Sequence, residues 1–133
     1  MQLGCRHLAR PVAVRGLCDL QSEAIRIDPN YAKAYLSRGI AYGKQDKVDE
    51  AIAGYTEAIR IDPDYAHAYY TRGDAYVEQD KFDEAIADYT EAIRIDPNDA
   101  RTYYTRGVVY RAQGDKAKAE ADFAKVKELG FGP

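Results

Sequence analysis

Serines come first among the residues that could do chemistry, because a serine beside a histidine base can act as a nucleophile. Ser22 and Ser37 have no histidine near them in sequence; the two histidines are His7 and His67. The two cysteines, Cys5 and Cys18, form no CxxC pair and read as reduced thiols rather than as a zinc site or a disulfide framework. Adjacent acids (Asp49 with Glu50, Asp83 with Glu84) could share acid-base work. They recur at a fixed interval, however, at what reads as the start of a helix, where negative charge is stabilised by the helix dipole. The "DPD" and "DPN" runs lack the glycine and closing glutamate of a calcium loop, and GxxxxGK[ST] and HExxH do not occur. No active site, metal or cofactor is expected.

Charge and composition narrow the partners. A net charge of -3 with pI near 5.4 offers no clustered basic face for a polyanion, so nucleic acid is not an expected partner. With 46% hydrophobic and 31% charged residues in 133, the chain reads as one folded, soluble unit. It has no apolar run near the roughly 20 residues that cross a bilayer.

The elements that must position any functional side chain are set by a repeat. "AIRIDP" occurs at 24–29, 58–63 and 92–97, 34 positions apart each time. Residues 32–65 superimpose on 66–99 with most positions identical, and 100–131 follows them well in its first half. Such a period signals stacked supersecondary units, none of which can bury its apolar side alone. Within 66–99, Ala68, Tyr69, Gly73 and Tyr76 make one helical stripe, and Phe82, Ala85, Ile86, Tyr89, Ala92 and Ile93 make another. Between them "QDKFDE" reads as a polar turn in which Asp80 takes an irregular backbone conformation. "AIRIDP" is then the last turn of a second helix and its stop signal, since Pro97 cannot continue a helix and turns Asp96 away from helical geometry.

These residues resemble the tetratricopeptide repeat family. Its pattern of aromatic, Gly, Tyr, Ala, aromatic, Ala and Pro at repeat positions 4, 8, 11, 20, 24, 27 and 32 is met by Tyr35, Gly39, Tyr42, Ala51, Tyr55, Ala58 and Pro63. It is met again by Tyr69, Gly73, Tyr76, Ala85, Tyr89, Ala92 and Pro97; the third copy has Tyr103, Gly107, Tyr110, Ala119 and Phe123, then Val126 and no proline. The resemblance implies an all-α, right-handed superhelical solenoid of antiparallel helix pairs, acting as a non-enzymatic module that binds a peptide segment of a partner protein in its concave groove. It also implies that repeat positions 2, 5, 9, 12 and 13 face that groove. The residues expected there are Lys33, Leu36, Ile40 and Lys44; His67, Tyr70, Asp74 and Val77; and Arg101, Tyr104, Val108 and Arg111, with Gly43, Glu78 and Ala112 beside them. Of twelve tyrosines only Tyr70 and Tyr104 fall on these positions, which makes them the expected anchors. The subset of the family that grips a C-terminal carboxylate needs Lys, Asn, Asn, Lys and Arg where this chain has Leu36, Ile40, Thr71, Arg101 and Thr105, so that specificity is not expected.

A repeated Arg38, Arg72 and Arg106 stands where the family more often has an apolar residue; the expectation is that these pair with an acid such as Asp28, Asp62 or Asp96. The domain reading is a divergent leader at 1–18, a partial repeat at 19–31, repeats at 32–65 and 66–99, and a capping repeat at 100–131. The cap follows from Lys116, Glu120 and Lys127, which stand where the earlier copies have Val48, Ile52 and Ile59 or Phe82, Ile86 and Ile93, so the array is expected to end near Gly130. Self-association through the incomplete N-terminal end, giving a homo-oligomer or scaffold, is the rival expectation. The expected compartment is the cytoplasm, with organelle targeting by residues 1–18, which carry Arg6, Arg10 and Arg15 and no acid, as the alternative.

Overall fold

The computed structural model describes residues 31–131, all of whose regular structure is helical. The expectations for residues 1–18 and 19–30 lie outside the described residues. The chain forms two compact units, Met1–Asp62 and Pro63–Pro133. The first contains α1 (Ala32–Lys44) and α2 (Val48–Ile61); the second contains α3 (Ala66–Glu78), α4 (Phe82–Ile95), α5 (Ala100–Ala112) and α6 (Lys116–Glu128).

Within each pair the turn is three residues long, and its middle residue is left-handed: Asp46 at φ 62°, Asp80 at φ 59° and Gly114 at φ 84°. Short polar aspartate and glycine tolerate that conformation. The amides of Lys47, Lys81 and Asp115 then donate back to the carbonyls of Tyr42, Tyr76 and Tyr110 at 3.0, 2.9 and 2.9 Å, closing each turn so that the two helices run antiparallel. Asp49 with Glu50, and Asp83 with Glu84, lie in the first turns of α2 and α4 as the dipole argument requires. Asp62 and Asp96 close those helices with ψ of 91° and 85°, extended values imposed by the prolines that follow. The third pair has no proline. There α6 stops at Gly130, with φ 92°, whose left-handed backbone lets the Phe131 amide return to the Val126 carbonyl at 3.1 Å.

Close helix approach explains why glycine stands at 39, 73 and 107. A β-carbon there would lie 2.7 Å from Cε1 of Tyr55, Tyr89 and Phe123 respectively, well inside contact distance. In the second unit Ala85, Tyr89 and Val109 form the buried centre, with Tyr70, Tyr76, Val77, Phe82 and Ile86 packed around it. Phe82 and Ile86 thereby join α4 to the pair that follows, whereas Lys116, Glu120 and Lys127 of α6 are all exposed.

Two of the repeated arginines, Arg72 and Arg106, pair with Asp88 and Asp122, where the sequence had pointed to the aspartates before the prolines. Arg72 donates through Nε and Nη2 to the two carboxylate oxygens of Asp88 at 2.8 Å each; Arg106 does the same to Asp122 at 2.8 and 2.7 Å. Nη1 of Arg106 also donates to Thr90 at 3.0 Å, so one guanidinium joins α4, α5 and α6. Each guanidinium lies between the rings at repeat positions 4 and 11: Arg72 is 5.8 Å from both Tyr69 and Tyr76, and Arg106 is 5.9 and 5.7 Å from Tyr103 and Tyr110. In the first unit the corresponding acid position is Gly54, and Nε of Arg38 is buried without a hydrogen-bond partner among the described residues, while its guanidinium lies 5.4 Å from the Tyr35 ring.

Candidate functional site

In the second unit the first helices of the two pairs, α3 and α5, place Tyr70 and Tyr104 at equivalent positions. Each ring leans on the aromatic of its own second helix in the same way. Tyr70 lies 5.7 Å from Tyr89 at 50°, and Tyr104 lies 5.7 Å from Phe123 at 46°. Their surroundings differ. Tyr104 is 54% exposed, while Tyr70 is half-buried, its hydroxyl 3.2 Å from Oγ1 of Thr105 and its face covered by the Arg101 guanidinium at 4.4 Å. The junction between the two pairs thus engages much of Tyr70, and Tyr104 retains the larger free surface.

Arg101 is committed as well. Asp99 caps α5 by accepting from the Arg101 amide at 3.1 Å, and its second oxygen accepts from Arg101 Nη2 and Thr102 Oγ1, both at 3.2 Å. Thr102 is 1% exposed, so this cap is anchored in the core. Two hollows flank the assembly. One of about 260 Å³ is lined by His67, Tyr70 and Arg101 with Tyr65, Asp96, Asp99 and Thr102 among others. The other, about 450 Å³, is lined by Arg101 and Tyr104 with Asn98, Ala100, Val126 and Phe131 among others. Four sequence-expected groove residues, His67, Tyr70, Arg101 and Tyr104, therefore border open space.

The rest of the expected set divides by burial. Val77 packs against the core cluster, Val108 is half-buried, and Arg111 is exposed with its guanidinium 5.4 Å from the Phe123 ring. In the first unit Lys33 and Lys44 are exposed and Ile40 is half-buried, but Leu36 is only 4% exposed and presents no contact surface. The family resemblance put Leu36 on the groove face with Lys33; burial depends on what packs over that face, which repeat position does not reveal.

Asp74, one turn along α3 from Tyr70 and expected on the groove, also has a partner inside the fold. Its Oδ1 accepts from the Tyr89 hydroxyl at 2.6 Å. Tyr89 is fully buried, so this contact satisfies a hydroxyl that would otherwise be stranded. Burial pushes the Asp74 carboxyl above the usual carboxylate range, with the Tyr89 hydroxyl and the Arg101 charge pulling it back in part. Burial likewise raises the Tyr70 and Tyr89 phenols. The groups facing Asp74 are His67, Tyr70 and Glu78 on α3, Tyr89 on α4, and Arg101 on α5. A carboxyl raised above its unfolded value binds its proton more tightly when folded, so its ionisation lowers stability as pH rises through the folded pKa, and acidification relieves that loss. Asp74→Asn is accordingly expected to be at least as stable as the native protein at neutral pH, with any advantage shrinking as pH falls through the carboxylate range. Thermal unfolding of both proteins across pH 3 to 7 checks this.

Sequence reading missed the two arginine–aspartate pairs and the Tyr89–Asp74 contact. The first had a usable signal: Arg and Asp stand 16 positions apart in both copies of the second unit, at 72 and 88 and at 106 and 122. Among the described residues no helix is long and apolar enough to cross a membrane, and no group of three or more His, Cys, Asp or Glu side chains could hold a metal ion.

Paired antiparallel helices at a constant period, with recurrent spacing of small and aromatic contacts, define a repeat module of the protein-interaction and scaffold class. The chain belongs to the tetratricopeptide repeat family: models described as "TPR repeat" match residues 44–80 and 73–114, and models described as "Tetratricopeptide repeat" match 20–53 and 100–129. Among solved structures it is similar to one titled "Crystal structure of MamA", with TM-score 0.81 and 30% identity over 84% of this chain and 66% of that one. It is also similar to "Crystal structure of MamA protein", with TM-score 0.79 and 30% identity over 84% of this chain and 61% of that one. The chain thus spans less than two thirds of the length of these neighbours. No curated protein matches it in sequence. The all-α fold class expected from the repeat is the class of these structures.

Proposed function

We propose that the chain is a non-enzymatic module that holds a peptide segment of a partner protein along its first helices. The observation that carries this reading is the pair of hollows beside Tyr70 and Tyr104, bordered by four of the side chains that the repeat positions assign to a groove. An aromatic that is half exposed beside an apolar hollow gives contact area at low entropic cost and can anchor an extended chain. His67, Arg101 and Arg111 supply polar rim contacts.

Peptide-library pulldown with native protein and with Tyr70→Ala/Tyr104→Ala tests it. The variant is expected to lose the retained peptides, with affinity down by about thirtyfold or more for two anchor residues. Because Tyr70 also supports the junction with α5, Tyr104→Ala alone is the cleaner companion. It should weaken the same peptides while leaving thermal unfolding within a few degrees of native. Identical ligand sets from native and double variant would place the site elsewhere.

A further inference from the structure

We propose that Asp74 is the acceptor for a lysine or arginine side chain of the bound peptide, so that this surface selects basic segments; the inference rests on the groove reading above. At the equivalent repeat positions the chain has Ile40 and Val108, so Asp74 puts a charge where the other two copies are apolar. The Tyr89 hydroxyl occupies Oδ1, and Oδ2 accepts from no other described residue. The cation best placed to neutralise the carboxylate, Arg101, is instead stacked on Tyr70 at 4.4 Å and paired with Asp99 at 3.2 Å. Burial without a paired cation also explains why the carboxyl is held above its usual range.

What is missing at Asp74 is a positive charge delivered from outside the chain. Tyr70 lies one turn before Asp74, with Val77 and Glu78 following, all on one stripe of α3. A long cationic side chain suits that stripe: its methylene stem packs on Tyr70 and Val77 while its head reaches Oδ2, with Glu78 adding like-signed attraction. The alternative role for Asp74 is to hold the Tyr89 hydroxyl and nothing more. A neutral amide of the same shape would serve that purpose equally well, which separates the two roles experimentally.

A phage-displayed library of random peptides is selected on the native protein, and the recovered peptides are resynthesised with each lysine or arginine replaced by norleucine. On the native protein one such replacement should weaken binding by about tenfold, as expected for loss of one charge-assisted hydrogen bond. On Asp74→Asn the same replacement should cost less than about twofold, since the partner charge is gone. Thermal unfolding confirms that the variant is folded. Selected peptides without a recurrent basic residue, or an undiminished norleucine penalty on Asp74→Asn, would overturn the assignment. If Tyr70→Ala/Tyr104→Ala abolishes binding while the penalty is unchanged on Asp74→Asn, the groove stands and only this inference fails. If the tyrosine variant keeps every ligand, the groove reading itself fails.

Discussion

Tyr89→Ala is expected to lower the unfolding free energy of the second unit by roughly 4 kcal/mol, the range for deleting a buried aromatic. Tyr89 is 0% exposed and touches everything that matters locally. Its ring fills the space left by Gly73, lies 5.7 Å from Tyr70, and forms the centre of the cluster with Ala85 and Val109. Removing the ring opens a cavity between α3, α4 and α5 and leaves Asp74 without its donor. Tyr89→Phe divides the two effects. Phe123 shows that a phenyl ring packs at the equivalent place against Gly107, so the phenylalanine variant should cost only the hydroxyl, about 1–3 kcal/mol. Urea denaturation followed by circular dichroism checks both; equal losses for Ala and Phe would mean the ring packing contributes little.

Asp88→Ala should come next, at about 3 kcal/mol, near the lower end for breaking a buried ion pair. The Asp88 side chain is 7% exposed and that of Arg72 is 18% exposed, so truncating the acid takes the bidentate carboxylate from a guanidinium that lies between two tyrosine rings with little access to water. Arg72→Met should recover much of the loss in the Asp88→Ala background, because the cost lies in a buried charge deprived of its carboxylate rather than in the pair itself. Asp122 of the third pair, also 7% exposed, should behave alike against Arg106. A loss below about 1 kcal/mol, the value of a solvated surface pair, would show that water reaches the guanidinium freely.

Helix positions and turns were legible because they depend on local rules. Pro63 and Pro97 fix where α2 and α4 end; Asp80 in a polar turn has the irregular backbone expected there, which the structure shows to be left-handed; paired acids mark helix starts. Repetition then multiplied each local signal. Pairing across helices was harder to see. The repeated arginines were assigned to the aspartates that recur in the most conspicuous motif, whereas geometry brings them to Asp88 and Asp122, which the 34-residue comparison hides because the first copy has Gly54 there. Likewise, the family resemblance placed Tyr70, Asp74 and Leu36 on the groove face but could not say that Arg101 would cover the first, Tyr89 would engage the second, or that the third would be buried. Which neighbour arrives is a tertiary fact, and it decides how much of a groove residue is left for a ligand.

Amide chemical-shift mapping during titration with a library-selected peptide examines the surface directly. The largest shifts are expected to cluster on α3 and α5 around His67, Tyr70, Asp74, Arg101 and Tyr104. Shifts concentrated on the exposed side of α6, around Lys116, Glu120 and Lys127, with α3 and α5 undisturbed, would contradict it.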